Sequence, residues 1–337
     1  MKHVVAIAAV GLILTANPGA AQTAAASATT PMPDTANIWS IVGENASISS
    51  AALTDRYYTN GLRLGWTSGE GALPSALSSL DHAVWGDGRQ RISFSLSQQI
   101  YTPYATQALP TPIHDQPFAG ILLGNAALLT DTDSARSLVG VALGVVGPWA
   151  LGREVQNGFH SFIGQSHNRG WGDQLRNEPA AEIISARVWR LPIAQIGDIE
   201  TDALPAVEAG LGNLRVYAQA GAQFRVGQGL DADYGVRRIR PGATGDDTFQ
   251  PVRPFGWYVF AGATAEGVAH DITLDGNTYQ SSPNAALRSL VGDAELGFAV
   301  IAYGTRITYT QTVETQRFQH QKGGPHQFGA LSLAARF

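Results

Sequence analysis

The sequence predicts an all-β protein, an antiparallel transmembrane β-barrel of about 12 strands with a short helix in the Gly147–Trp171 loop. Three observations predict it. Apolar and polar residues alternate with a period of two in segment after segment, the chain opens on an export signal, and its last alternating segment ends on Phe337. A period of two marks strands with one apolar and one polar face. Here the polar face is small, hydroxylated and charged, which suits a watery lumen, while the apolar face suits lipid.

At the start, Lys2 and His3 precede an apolar run from Val4 to Ala16 and small residues through Ala21. This reads as a secretory signal peptide, residues 1–21, because the apolar run is shorter than the roughly 20 residues a membrane-spanning helix needs. Residues 22–36, rich in Ala, Thr and Pro up to Asp34, form a flexible lead-in, and residues 37–337 form a single barrel domain. The chain has no cysteine, so export brings no disulfide framework. With a net charge of −5 and no Lys/Arg cluster, nucleic acid is excluded as a partner.

Twelve strands follow in order: Ile38–Asn45, Arg56–Thr67, Arg91–Tyr101, Phe118–Thr130, Arg136–Val146, Ala180–Arg190, Ile199–Leu211, Leu214–Gln228, Pro254–His270, Leu287–Ala302, Thr305–Phe318 and Gln327–Phe337. In the second, Tyr58, Asn60, Leu62, Leu64 and Trp66 share the lipid parity, and Tyr57, Thr59, Gly61, Arg63, Gly65 and Thr67 the lumen parity. In the third, Ile92, Phe94, Leu96, Gln98 and Ile100 alternate with arginine, serines, Gln99 and Tyr101. Turn signals separate the strands, as at Gly212-Asn213 and Asp275-Gly276; the DITLDGN segment from Asp271 to Asn277 reads as a hairpin turn. In the last strand Leu331, Leu333, Ala335 and Phe337 share one parity, the kind of terminal strand that the outer-membrane assembly machinery engages. The chain is expected in the outer membrane, as a monomer.

Alternation stops between Gly147 and Trp171. There Val155, Phe159 and Ile163 fall at helical spacing, while Arg153, Gln156, Asn157 and His160 gather on another face. A helix in such a protein is expected in an extramembrane loop or inside the lumen. His160 is the candidate for chemistry, since the ordinary histidine pKa near 6.5 suits proton abstraction at neutral pH. It could equally do no more than hydrogen-bond a neighbouring strand. Asp173, Gln174, Asn177 and Glu178 form a polar cluster that either orients a site or solvates a loop. No HExxH helix and no GxSxG elbow occur.

Several segments resemble the outer-membrane lipid A 3′-O-deacylases: GEN at Gly43–Asn45, TDRYYTNGLRLGWT at Thr54–Thr67, SQQIYTP at Ser97–Pro103, PIHDQPFAGILLG at Pro112–Gly124, GVVGPWALGREVQNGFHSFIG at Gly144–Gly164 and GWGDQLRNEP at Gly170–Pro179. They stand in family order through the first half of the mature chain. The resemblance implies a twelve-stranded barrel that hydrolyses an ester-linked acyl group of lipid A. It implies a histidine that activates water and a divalent cation, Ca²⁺, that holds the oxyanion. It maps the catalytic histidine onto His160, a strand hydroxyl onto Thr59 and a cation-site Asn onto Asn45, with Gln156 and Asn157 supporting the histidine.

Three departures matter, the first two for the cation and the third for a basic residue that could hold a lipid phosphate. Ala46 stands where the family commonly has Asp, Ser166 where some members have Glu, and Gln116 where an Arg is frequent. By parity Ala46 faces the lumen beside Thr59, so the lost carboxylate is one aimed at a lumen-side site. Hard cations prefer charged oxygens, and Glu44, Asp173 or Glu178 could take over the role. The alternative is a non-catalytic barrel, a structural protein or small-solute channel. A serine phospholipase would need Ser161 paired with His160, and neighbours in sequence are poorly placed for that.

Overall fold

A computed structural model describes residues 33–49, 56–236, 239 and 248–337. The expected signal peptide lies outside the described residues. The strands are β1 Ile38–Asn45, β2 Tyr57–Thr67, β3 Arg89–Thr102, β4 Ala119–Asp131, β5 Ala135–Val146, β6 Glu178–Trp189, β7 Leu191–Ile196, β8 Ile199–Gly212, β9 Arg215–Gln228, β10 Phe255–Asp271, β11 Leu290–Ala302, β12 Thr305–Glu314 and β13 His326–Arg336. All pairings are antiparallel. β13 pairs with β1 (Ile38↔Arg336 to Asn45↔Gly329), which closes the wall. Within the wall β6 pairs directly with β8, and β7 continues β6 past Arg190 as an extension of the β7–β8 hairpin. The closed ring therefore holds the twelve strands that alternation predicts.

Exposed apolar side chains confirm which face is outside. Leu64, Phe94 and Leu333 are exposed and lie on the apolar parity read from the sequence, and Trp39, Leu143 and Leu296 are exposed on the other strands. Two ends differ. Turns 132–134, 197–198 and 303–304 are short at one end, which also carries connections 68–88 and 229–254, while 103–118, 147–177, 272–289 and 315–325 are long at the other, where only 213–214 is short; the end richer in long connections is taken as extracellular. An unanticipated helix, α1 (Ser75–Trp85), caps the periplasmic end.

Local departures from the sequence reading each have a visible cause. Residues 33–36, expected in a flexible lead-in, are held: Asp34 is buried, ion-paired to Arg91 at 2.7 Å and to Arg336. Tyr58, expected on the lipid face, is buried inside, because a β-bulge between Tyr58 and Asn60 inserts Thr59 and reverses the parity above it. The DITLDGN segment is a short helical turn, Ile272–Asp275, with the Asp271 carboxylate accepting from the Thr273 N–H at 2.9 Å.

The lumen is filled. The described residues of the connection between β9 and β10 (229–236, 239 and 248–254) reach into it from the periplasmic end. Leu230, Ala232, Val236 and Phe249 pack there against Ile38, Tyr258, Phe260 and Ile301 of the wall. Asp233 accepts from Arg225 (2.6 Å), Arg306 (2.7 Å) and the Tyr258 hydroxyl (2.8 Å). Higher up, the Ile239 N–H donates to Glu44 Oε1 at 2.7 Å.

Candidate functional site

The break at Gly147 exists because the chain must leave β5 and fold back over the wall. Gly147 has φ +97°, and a Cβ there would lie 2.5 Å from the Arg176 carbonyl carbon. Leu151 then turns through a left-handed conformation (φ 59°) into helix α2, Gly152–Phe162. The helix foot sits on β4. A Cβ on Gly120 would approach the Gly152 nitrogen to 3.0 Å, so two glycines meet where side chains would hold the helix away. Gln98 of β3 donates to the Ala150 carbonyl at 2.6 Å.

Gly120 and Gln98 both lie on the outward parity of their strands, so α2 packs on the outside of the barrel at its extracellular rim. The helix is thus in the Gly147–Trp171 loop, as expected, and the alternative of a helix inside the lumen is excluded. The helix is also inverted relative to a helix of a water-soluble domain, whose apolar stripe faces the core. Val155, Phe159, Phe162 and Ile163 are exposed (Phe162 86%), and Gln156 and His160 are buried (His160 6%). An apolar stripe turned away from the protein fits a helix lying at a lipid interface.

The buried polar residues are tightly placed. His160 Nδ1 is 2.9 Å from the Ser166 carbonyl. A carbonyl only accepts, so Nδ1 carries the proton and the basic lone pair is on Nε2. Gln156 Oε1 accepts from the Trp171 indole N–H at 2.7 Å, and Trp171 packs on Phe118 (ring centroids 4.9 Å) and Ile100. Asn157 Oδ1 accepts from the Asn168 N–H at 2.9 Å. Both supporting residues thus tie α2 to the returning chain 166–171. On the exposed flank, Arg153 hydrogen-bonds Glu154 and holds its carboxyl below the usual range.

One cross-strand row leads from the first strand to this helix. Asn45, Asn60, Ile100 and Gly120 are successive partners across β1, β2, β3 and β4. At a strand spacing of about 4.8 Å, Asn45 lies roughly 14 Å along the outer wall from the helix foot. The Asn45 amide donates to Asn60 Oδ1 (3.1 Å), and its own Oδ1 caps the turn Ala46–Ile48 by accepting from Ser47 N–H (2.7 Å). Thr59, the bulge residue, meets Thr102 hydroxyl to hydroxyl at 2.7 Å. Thr102 continues the outward parity of Gln98 and Ile100, so the hydroxyl pair also belongs to the outer rim.

The structure therefore gathers Asn45, Thr59, Gln156, Asn157 and His160 at one rim of one wall, on its outer face. Glu44 stands apart: strand alternation turns it into the lumen, where it accepts from the Tyr58 hydroxyl (2.7 Å) and Ile239. Ala46 does not continue the strand, because the chain turns at Asn45; its side chain is fully buried. The polar cluster after the helix is structural. Asp173 accepts from the Thr111 N–H, and Glu178 accepts from Asn277, Thr278 and Tyr279. Ser161 meets His167 at 2.6 Å rather than His160. The sequence reading missed Asn60, Thr102 and Trp171; the bulge that brings the first two into the rim leaves no trace in residue type.

A family model described as outer membrane protein LpxR matches residues 6–337. Among solved structures, LpxR from Salmonella typhimurium superposes with a TM-score of 0.74 at 23% identity, covering 89% of this chain and 100% of that one. The β domain of the Bordetella autotransporter BrkA matches at 10% identity and a TM-score of 0.43, covering 90% of this chain and 99% of that one. No curated protein matches the chain.

Proposed function

Since the chain belongs to the LpxR family of outer-membrane proteins, we propose that it hydrolyses an ester-linked acyl chain of lipid A, at the outer rim of β1–β4. The observation that carries this reading is the inverted helix. A buried histidine with a fixed tautomer, beneath an apolar stripe and against a lipid-facing wall, is where a lipid ester could meet a base.

In this reading His160 Nε2 takes a proton from water as the oxygen attacks the ester carbonyl. The carbonyl oxygen gains negative charge, and the amides and hydroxyls of the rim supply neutral donors for it. As the acyl–oxygen bond breaks, the imidazolium returns its proton to the departing alkoxide, leaving a fatty acid and a lipid hydroxyl. Gln156 and Asn157 hold the helix so that His160 keeps its place.

The expected divalent cation, Ca²⁺ by the resemblance, meets a poor donor set. The outer rim offers the neutral oxygens of Asn45, Asn60, Thr59 and Thr102, and Glu44 is on the opposite face. Among the described residues no three His, Asp or Glu side chains converge as a metal site. Hard cations are held by charged oxygens, so these residues do not fit a tightly bound Ca²⁺, and no step is assigned to one. The channel alternative is disfavoured by the lumen, which the β9–β10 connection crosses with buried ion pairs.

The test is to express the protein in a host of known lipid A structure and weigh the extracted lipid by mass spectrometry, with and without EDTA. Loss of one acyl mass that persists in EDTA is expected. Unchanged lipid A in the wild type would overturn the reading.

A further inference from the structure

Below the rim, the outer wall is not evenly covered. Outward residues of β4 run Gly120, Leu122, Gly124, Ala126 toward the periplasm, and the last two are small between taller neighbours. Leu96 and Phe94 of β3 stand on one side of them, and Leu143 and Val141 of β5 on the other, each a direct cross-strand partner. The result is an open apolar trough of about 600 Å³, which Trp66 and Trp39 extend toward the first strands.

The trough lies below the rim site on the same strand, with Leu122 between them. Gly120 touches the helix foot, and the next outward residue but one on the same strand is Gly124. At about 3.3 Å per residue, Gly124 and Ala126 lie roughly 13 and 20 Å along β4 from Gly120. A leaflet's hydrocarbon is about 15 Å deep, half of a 30 Å core. With strands tilted by about 40° those distances are roughly 10 and 15 Å of depth, so the trough lies where the far end of an outer-leaflet acyl chain sits when its ester is at the rim.

We propose that this trough over Gly124 and Ala126 seats the acyl chain whose ester is cleaved, so that it aligns the substrate and favours long chains. The proposal rests on the rim being the site of ester hydrolysis. Its occupant is the far end of an acyl chain of the membrane's own lipid, because the trough is lined by apolar side chains, faces the bilayer and lies on the strand that carries the helix foot. Gly124 leaves room for a test: a Cβ there would meet nothing nearer than the Leu143 carbonyl oxygen at 3.8 Å. Gly267 on β10 is its counterpart on the far wall, exposed, with the Ala218 carbonyl oxygen at 3.8 Å.

Two measurements decide it. In vesicles of phosphatidylcholine, trace lipid A carrying a photoactivatable diazirine near the end of its ester-linked acyl chain is irradiated with the His160→Ala protein, and labelled peptides are mapped. Labelling concentrated on residues 94–96, 124–126 and 141–143 over 259–263 and 296–298 is expected, and labelling spread evenly around the wall would overturn the proposal. In the active protein, Gly124→Phe is expected to lower release of a long acyl chain on the order of ten-fold while sparing a short one, with Gly267→Phe matching wild type. Equal rates for the two phenylalanine variants on the long chain would also overturn it. If labelling is concentrated but the wild type releases no acyl chain, the trough stands and the hydrolase reading falls. If acyl chains are released while labelling is even, the reverse holds.

Discussion

The outer rim above β3 and β4 and the lumen inside the barrel are both polar, yet they are built on opposite rules. In the lumen, charges are matched and buried: Arg225 lies between Asp202 and Asp233, Arg306 reaches the same Asp233, and Arg317 pairs with Asp271 at 2.5 Å. At the rim the groups set against the wall are neutral amides and hydroxyls and His160, with the Arg153–Glu154 pair on the exposed flank of the helix. Matched buried charges fix a unique packing and are costly to disturb. A neutral pocket with a histidine of fixed tautomer can accept and return a proton without an ion pair first having to break. The lumen network holds the barrel in shape, and the rim is where the proposed hydrolysis would take place.

The sharpest way to break that comparison is to exchange the symptoms. His160→Ala should lower lipid A deacylation by about 10²–10⁴-fold, the usual worth of a general base, with no change in the heat-dependent gel mobility that reports a folded barrel. Asp233→Ala should do the opposite in kind. Removing one partner leaves Arg225 and Arg306 buried without it, and such losses cost about 3–5 kcal/mol. Urea unfolding followed by tryptophan fluorescence should show the loss. A stable Asp233→Ala barrel would mean the lumen network is dispensable.

A smaller effect separates wall from helix. Gly120→Val adds a branched side chain where even a Cβ lies 3.0 Å from the helix foot, while valine itself suits a strand. Lifting α2 by about an ångström should cost up to 10²-fold in activity, measured by acyl release, with unfolding unchanged. Gln156→Leu should act more mildly. It deprives the buried Trp171 N–H of its acceptor, at about 1–3 kcal/mol of local stability, and limited proteolysis between α2 and residue 171 should speed up. Unaltered cleavage would show that the hydrogen bond does not secure the helix.

The smallest expected change concerns the cation. Asn45→Asp keeps a good capping residue and adds a carboxylate to the rim. Acyl release should then become a few-fold more sensitive to EDTA than in the wild type. Equal sensitivity in both proteins would place any cation away from Asn45.

Much of this was legible in residue order. Alternation found every wall strand, because the side-chain period of a strand is local and the membrane imposes an apolar outside on each one. The GREVQNGFHSF segment announced a helix and put Gln156, Asn157 and His160 within one another's reach. What it could not announce was direction. A helical stripe of Val155, Phe159 and Ile163 reads as a core-facing stripe in water, and only a lipid neighbourhood makes the exposed reading the favourable one.

By itself, then, the sequence determined an exported, outer-membrane antiparallel barrel with a helical interruption bearing His160. Tertiary structure decided on which side of the wall that helix lies, that a bulge at Thr59 turns Tyr58 inward and puts the Thr59–Thr102 hydroxyls on the rim, and that Asn45 and Glu44 part company. It also decided that the lumen is filled from below, through contacts such as Glu44 with Ile239, 195 residues apart in sequence. The reason is physical: periodicity is a property of neighbours along the chain, whereas the choice of face depends on groups that meet only after the barrel has closed.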